Sequence, residues 1–240
     1  MQPIWLASYP RSGVTFLRHV LSETLGVPTF SVYAEPTDSI STPNMPEMSG
    51  RFPENVTPSL PALFVKTHEL KHAQTGNKAI HLVRDGRDAI VSHAHYDADL
   101  GRSHVDGRPF GEALDLAVDG VLPTFDPKRT VWDWSLHTIV WQRRPSSRTL
   151  TVWFEYLIRF PKIVAAAVAA FVGWEHGLRN ADSELRDFAS LHKQSPHFFR
   201  RGKVGGWRDE LSDAQHERFW RRHGQAMQLL GYSREGEPCS

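Results

Sequence analysis

The junction at the start of this chain constrains its fold more than any other feature. A short apolar run, Ile4-Trp5-Leu6-Ala7-Ser8, passes through Tyr9-Pro10-Arg11-Ser12-Gly13 into Val14-Thr15-Phe16-Leu17-Arg18. The order is strand, tight loop, then amphipathic helix, as at the opening of an α/β fold. The first backbone N–H groups of such a helix have no partner inside it and point at whatever anion sits above the loop. Gly13 permits close approach of the backbone, Arg11 adds a positive charge, and Ser12 and Thr15 can donate hydrogen bonds. Together they form a seat for a phosphate or a similar group. An ordinary strand-to-helix turn with a surface arginine would carry the same letters, so other segments must decide.

Composition narrows the class without naming it. At 240 residues the chain can form one α/β domain. A net charge of +1 gives no bulk field for nucleic acid, and none is expected as a partner. The single cysteine, Cys239, allows no internal disulfide and no thiolate metal cage, which suits a reducing compartment, and a cytoplasmic location is expected. The start shows no signal-peptide pattern. The longest apolar stretch, residues 163–172, is too short to span a bilayer and is expected as a buried or half-buried helix of a soluble protein.

Apolar runs alternate with helix-period segments along the chain, which favours a mostly parallel central sheet flanked by helices. Strands are expected at 3–8, 62–66, 79–83 and 150–154. Helices are expected at about 14–25, 87–99, 129–144, 158–172, 183–192 and 213–230, with a short one at 110–118. Two segments read as irregular: the proline-rich 27–60, and 101–127, rich in Gly, Asp and Pro. Loops this long in one domain are usually functional. No repeat or linker breaks the chain, so a single domain over 1–240 is expected.

Three further segments carry candidate chemistry. Lys66-Thr67-His68 ends the second expected strand, where the carboxyl ends of a parallel sheet line the ligand crevice. A neutral histidine there is a good proton acceptor near pH 7, and a lysine can neutralise developing negative charge. The chain has thirteen histidines, so residue type alone does not single out His68. Arg84-Asp85-Gly86-Arg87-Asp88 leaves a strand and opens a helix that carries Ser92. Arg84 and Ser92 can grip one anion from two sides. Equally, Asp85, Arg87 and Asp88 fit the charged first turn of a surface helix. Arg200-Arg201-Gly202-Lys203-Val204-Gly205-Gly206-Trp207 is a donor-rich loop, suited to a phosphate clamp or to a solvated basic turn.

Taken together, these segments resemble the PAPS-dependent sulfotransferases, PAPS being 3′-phosphoadenosine 5′-phosphosulfate. The family pattern Tyr-Pro-Lys/Arg-Ser-Gly-x-Thr is matched by Tyr9 to Thr15, Lys-Thr-His by Lys66 to His68, and Arg-Asp-x-x-Asp with its following serine by Arg84 to Ser92. Arg-Lys-Gly-x-x-Gly-x-Trp is matched by Arg200 to Trp207. The resemblance covers residues 3 to about 210 and implies a P-loop-like three-layer α/β fold. It implies that Arg11, Ser12, Gly13, Val14 and Thr15 hold the 5′-phosphosulfate. Arg84 and Ser92 would hold the 3′-phosphate, joined by Arg200, Arg201 and Gly202. Phe16 and Phe154 stand where the family places aromatic residues near the adenine. His68 would be the general base, while Lys66 and Arg11, assisted by Ser92, stabilise the transferring group. His72, Glu69 and His93 are the nearby alternatives for the base. PAP would be the product, and no metal is expected.

Several positions depart from the family pattern. Arg11 stands for a common lysine, Val14 lacks a hydroxyl, Phe154 lacks a phenol oxygen, and Gly206 replaces a common acidic residue. The acceptor is expected to be a small molecule or natural product with a hydroxyl or amine, walled by 27–60 and 101–127, and no membrane partner is implied. Oligomeric state stays open. The rival readings are a P-loop kinase, whose Gly-x-x-x-x-Gly-Lys-Ser/Thr spacing is not met, and a nucleotide-binding module without turnover.

Overall fold

All four runs expected to be strands are strands in the computed structural model, which describes residues 2–33, 48–51, 62–103, 109–121, 133–178, 185, 188–194 and 202–236. They are β1 (Ile4–Ser8), β4 (Phe64–Thr67), β5 (Ala79–Val83) and β6 (Thr149–Trp153). Leu6, Phe64, Val65, Ile80 and Leu82 are buried almost completely, as in strands covered on both faces. Two further strands, β2 (Thr29–Ser31) and β3 (Met48–Arg51), lie in the segment expected to be irregular. They join one six-stranded sheet in the order β3-β2-β4-β1-β5-β6. Every pairing in it is parallel, so the carboxyl ends of all its strands share one edge. β1 lies at the centre, with β4 on one side and β5 on the other.

The chain divides into two units. The first comprises Met1–Ser8, Gly13–Val83 and Trp141–Gly202, and holds the whole sheet. Helix α1 (Val14–Leu25) starts at Gly13, whose φ of 95° a residue with a Cβ rarely adopts. It stops at Gly26, also left-handed, whose N–H returns to the Ser22 carbonyl at 2.9 Å. Arg18 of α1 is buried and donates to the Thr29 hydroxyl at 3.0 Å and the Thr29 carbonyl at 3.2 Å. That cation specifies β2 from outside the strand, which is why a three-residue strand escapes a reading based on apolar runs.

The helix expected at 158–172 is two helices, α5 (Phe154–Arg159) and α6 (Pro161–Val172). The break falls at Phe160 because Pro161 cannot continue a helix but starts one readily at its first position. Val164, Ala165 and Val168 of α6 pack with Leu17, Leu21 and Val20 of α1 in the main core. A short helix, α7 (Phe188–Gln194), adds Leu191 to that core. On the other apolar cluster, Trp5, Phe30, Leu63, Val65 and Trp141 pack together. Arg144 holds the stretch that leads into β5 by donating to the carbonyls of Ala73, Thr75 and Asn77.

The second unit comprises Tyr9–Ser12, Arg84–Val140 and Lys203–Ser240. Its helices are α2 (Gly86–Ser103), α3 (Phe110–Val118) and α8 (Asp213–Leu229), with residues 134–140 of α4 (Trp134–Gln142). A Cβ on Gly86 would come within 2.8 Å of Trp134 and Phe219, so the glycine allows these rings to close over the start of α2. α8 opens with a reciprocal cap: Gln215 N–H donates to Ser212 Oγ, and Ser212 N–H donates to Gln215 Oε1 at 3.0 Å. Among the described residues no helix is long and apolar enough to cross a membrane.

Candidate functional site

In the first unit, the parallel register puts the ends of β1, β4 and β6 on one edge of the sheet, with β5 between β1 and β6, and a candidate residue lies at or just after each end. β4 ends at Thr67, and His68 follows it with a half-buried side chain. His68 Nδ1 lies 2.6 Å from the Ser8 carbonyl at the end of β1. A carbonyl can only accept, so Nδ1 carries the proton and Nε2 is the proton-accepting nitrogen of the neutral ring. The backbone N–H of His68 donates to the Tyr33 hydroxyl at 2.7 Å. Lys66, half-buried on β4, sets its ammonium 5.8 Å from the centre of the Tyr33 ring.

The neighbouring alternatives for the base fit less well. His72 hydrogen-bonds the Thr67 hydroxyl through Nδ1 at 2.7 Å and stacks on Trp5 at 4.1 Å, and burial lowers its pKa. Glu69 is paired with Lys71. His93, in the second unit, is wholly enclosed, and burial assisted by the Arg11 charge lowers its pKa from 6.5 to about 4. A base held so acidic accepts protons poorly near neutrality.

The segment expected to seat an anion enters the first unit at the start of α1. No side chain caps this helix at Gly13. A Cβ on Gly13 would overlap the ring of Phe154, the first residue after β6, so only glycine leaves the loop backbone lying against that ring. Val14, Phe16 and Phe154 are all buried in the main core, which gives them the role of backing the loop, while Thr15 is buried at the first turn.

In the second unit, segments far apart in the sequence gather around Arg11. Its φ of 64° makes it the one non-glycine with a left-handed backbone among the described residues. Its Nε donates to Ser92 Oγ at 3.4 Å, and its guanidinium lies 4.8 Å over the Tyr96 ring. Arg84, 8% exposed, donates to the Arg11 carbonyl at 3.1 Å and to the Lys203 carbonyl at 3.2 Å. Ser12 is 1% exposed, and its Oγ is buried with no hydrogen-bond partner among the described residues. A buried hydroxyl left in that state costs about 1–3 kcal/mol. A bound anion oxygen would satisfy it, so the residues present fit a phosphate-type ligand.

The Arg-Asp-x-x-Asp element is not the first turn of a surface helix. Asp85, Arg87 and Asp88 are all buried. Arg87 pairs with Asp85 at 2.8 Å, donates to the carbonyls of Ser233 and Arg234, and lies 4.1 Å from the centre of the Trp207 ring. Asp88 accepts the backbone N–H groups of Gly205 at 2.8 Å and Trp207 at 2.9 Å. Burial raises the Asp88 pKa, opposed by the Arg84 charge and by these two donors. Arg84 and Asp88 thereby hold the backbone of 203–207 from two points. Sequence reasoning assigned no such role to Asp88; its visible trace was the spacing of four from Arg84. Gly202 is half-buried with a φ of 58°, while Arg200 and Arg201 lie outside the described residues, as does Cys239. Among the described residues no group of three or more His, Cys, Asp or Glu is placed to hold a metal.

An all-parallel sheet with a histidine at a strand end in the first unit, and arginines gathered around the Arg11 backbone in the second, are compatible with a transferase that acts on a phosphate-bearing donor. Residues 1–231 match the sulfotransferase domain family, and the chain belongs to it. Membership makes it a PAPS-dependent sulfotransferase, and the kinase reading and the reading without turnover are not favoured. Sulfotransferase 1A1 of Rattus norvegicus is similar, at 21% identity over 252 residues, covering 92% of this chain and 83% of the relative. Two solved structures share the fold. Mouse sulfotransferase SULT7A1 complexed with PAP has a TM-score of 0.65 at 19% identity, covering 94% of this chain and 84% of that one. Retinol dehydratase in complex with androsterone and inactive cofactor PAP has a TM-score of 0.64 at 17% identity, covering 94% and 80%.

Proposed function

We propose that this protein moves a sulfuryl group from PAPS to a hydroxyl or amine of a small-molecule acceptor, with His68 as the general base. The observation that carries the reading is the His68 hydrogen bond to the Ser8 carbonyl, which fixes the tautomer a base needs and aims it from the sheet edge. The acceptor oxygen attacks sulfur as its proton passes to His68 Nε2. The bond between sulfur and the bridging phosphate oxygen breaks, and PAP leaves with the electron pair. Charge gathers on that leaving oxygen in a loose, in-line transition state, so fixed cations and alignment supply most of the catalysis. Lys66 and Arg11 take up that charge, and Ser92, bonded to Arg11, assists.

Donor binding uses the loop from Arg11 to Thr15 for the 5′-phosphosulfate, with Phe16 and Phe154 backing it from the core. Arg84 and Ser92 hold the 3′-phosphate, joined by Arg200, Arg201 and Gly202. Arg84 is more than a ligand here, since it also fixes the loop backbone at Arg11. Residues 1–240 work as one sulfotransferase-like domain in a cytoplasmic setting, with 27–60 and 101–127 walling the acceptor. The small-molecule acceptor is supported by retinol dehydratase, a fold relative whose structure holds androsterone.

Incubating the protein with sulfur-labelled PAPS and a panel of phenols, alcohols, amines and glycosides tests the reaction. Label moving to any acceptor at a rate above buffer supports it. Calorimetry tests the donor: PAP should bind more tightly than AMP or ADP. Equal affinity for the three nucleotides would sink the 3′-phosphate assignment.

A further inference from the structure

One ring in the first unit meets both side chains given chemical roles there. Tyr33 follows the end of β2, and its backbone N–H donates to Ser31 Oγ at 3.2 Å, which ties it back to that strand. Its hydroxyl accepts the backbone N–H of His68 at 2.7 Å. Its ring stacks on the His68 imidazole, with centroids 5.5 Å apart and planes 17° apart. The same ring lies 5.8 Å from Lys66 Nζ, within reach of a cation–π attraction.

These contacts act on different freedoms of the two residues. The Ser8 carbonyl fixes one edge of the imidazole but leaves the ring able to rock about that bond. A stacked ring on its face removes the rocking motion, and the phenol oxygen anchors the His68 backbone beneath it. Lys66 has a flexible four-carbon stem and no fixed direction of its own. An aromatic face near its head narrows where the charge can sit. Misplacing a reacting group by on the order of 1 Å can lower a rate by about 100-fold.

We propose that Tyr33 is a positioning residue, which through its hydroxyl and its ring face sets the aim of His68 Nε2 and the place of the Lys66 ammonium. Tyr33 can hold this role only if His68 and Lys66 act as assigned above. Its action is on turnover, through those two side chains, and not on donor affinity.

The test uses the full chain with PAPS, para-nitrophenol as acceptor, and PAP as the binding probe. Tyr33→Phe keeps the stacked ring and loses only the acceptor for the His68 N–H; kcat should fall by about 3–10-fold, the usual effect of one hydrogen bond. Tyr33→Leu loses the ring as well, and kcat should fall by about 10–100-fold. In both variants the PAP dissociation constant and the KM for PAPS should stay at wild-type values. Tyr33→Leu combined with His68→Ala should lose less than the product of the two single losses, because the two act as a unit.

Wild-type turnover in Tyr33→Leu overturns the proposal. So does a rise in KM for para-nitrophenol with kcat unchanged, which would make Tyr33 a wall of the acceptor pocket. Loss of PAP binding in Tyr33→Phe in step with turnover, at an unchanged melting temperature, overturns it as well. If Tyr33→Leu does not fold, Tyr33→Phe decides alone. A wild-type protein that neither binds PAP nor consumes PAPS defeats the sulfotransferase assignment itself, whereas a wild type that does both while the variants match it defeats only the role of Tyr33.

Discussion

The two units hold their functional side chains by opposite means. In the first, His68 is a neutral group aimed by backbone: a carbonyl from β1 on its ring and an aromatic face beside it. In the second, Arg11, Arg84 and Arg87 are permanent cations, and the surroundings hold them by spending their donors on carbonyls, a hydroxyl and a carboxylate. The group proposed to gain and lose a proton has its tautomer set by a backbone carbonyl. The arginines, two of them proposed to hold a charged donor, are braced so that their charges cannot swing away. Under the proposed function the difference separates chemistry from binding, and substitutions in each region should separate the same way.

His68→Ala gives the sharpest break. Turnover should fall by about 10²–10⁴-fold, the usual effect of removing a positioned base, with PAP binding retained. Steady-state kinetics and calorimetry on one preparation check both halves. Equal loss of PAP affinity would erase the contrast between the units. Arg84→Ala should do the reverse, weakening PAP binding by about 2–5 kcal/mol if the pair it makes with the 3′-phosphate is buried. Its kcat at saturating PAPS should change much less. Unaltered PAP affinity in that variant would remove Arg84 from the donor site.

Asp88→Ala probes the bracing rather than the ligand. It leaves the N–H groups of Gly205 and Trp207 without their acceptor, at about 1–3 kcal/mol for each group that stays buried. Melting temperature should drop, and PAP affinity should drop with it, because the backbone at 205 and 207 has then lost its carboxylate anchor. A variant with lower stability but intact PAP affinity would show that this loop needs no bracing to serve the ligand.

The last contrast concerns acid. Burial lowers the pKa of His93 from 6.5 to about 4, of His137 to about 3 and of His223 to about 4, all in the second unit. Folded-state values below the unfolded one mean that the unfolded chain binds more protons between these limits. Stability from keeping these rings neutral is therefore fully present above pH 6.5. It is lost progressively as pH falls from there towards about 4 and then 3. A melting temperature that declines over that window, with proton uptake on unfolding, is the expected result. A flat profile from pH 6.5 to 4.5 would contradict it.

Much of the fold could be read from the chain because its central strands are continuous apolar runs and its helices carry clear ends. Residues 79–83 and 110–118 took the bounds expected of them, and 14–25 began and ended at the glycines that only such ends favour. β2 and β3 were not legible. Three residues supply no periodicity, and β2 is fixed by Arg18 from a neighbouring helix. At the candidate site the residue types were visible in short motifs, and the contact of Arg11 with Ser92 joins positions 81 apart. The supporting contacts were not visible. Tyr33 meets His68 across 35 residues and Asp88 meets Gly205 across 117, and both depend on register and helix placement that no local pattern encodes.

The left-handed backbone at Arg11 sets stability and activity against each other at a single position. A side chain in that conformation stores on the order of 1 kcal/mol, which glycine would release. Arg11→Gly should accordingly melt at a higher temperature than the parent and yet turn over more slowly, having given up its guanidinium. Efforts to make this protein more heat-tolerant should therefore leave that residue alone, however favourable the exchange looks on conformational grounds.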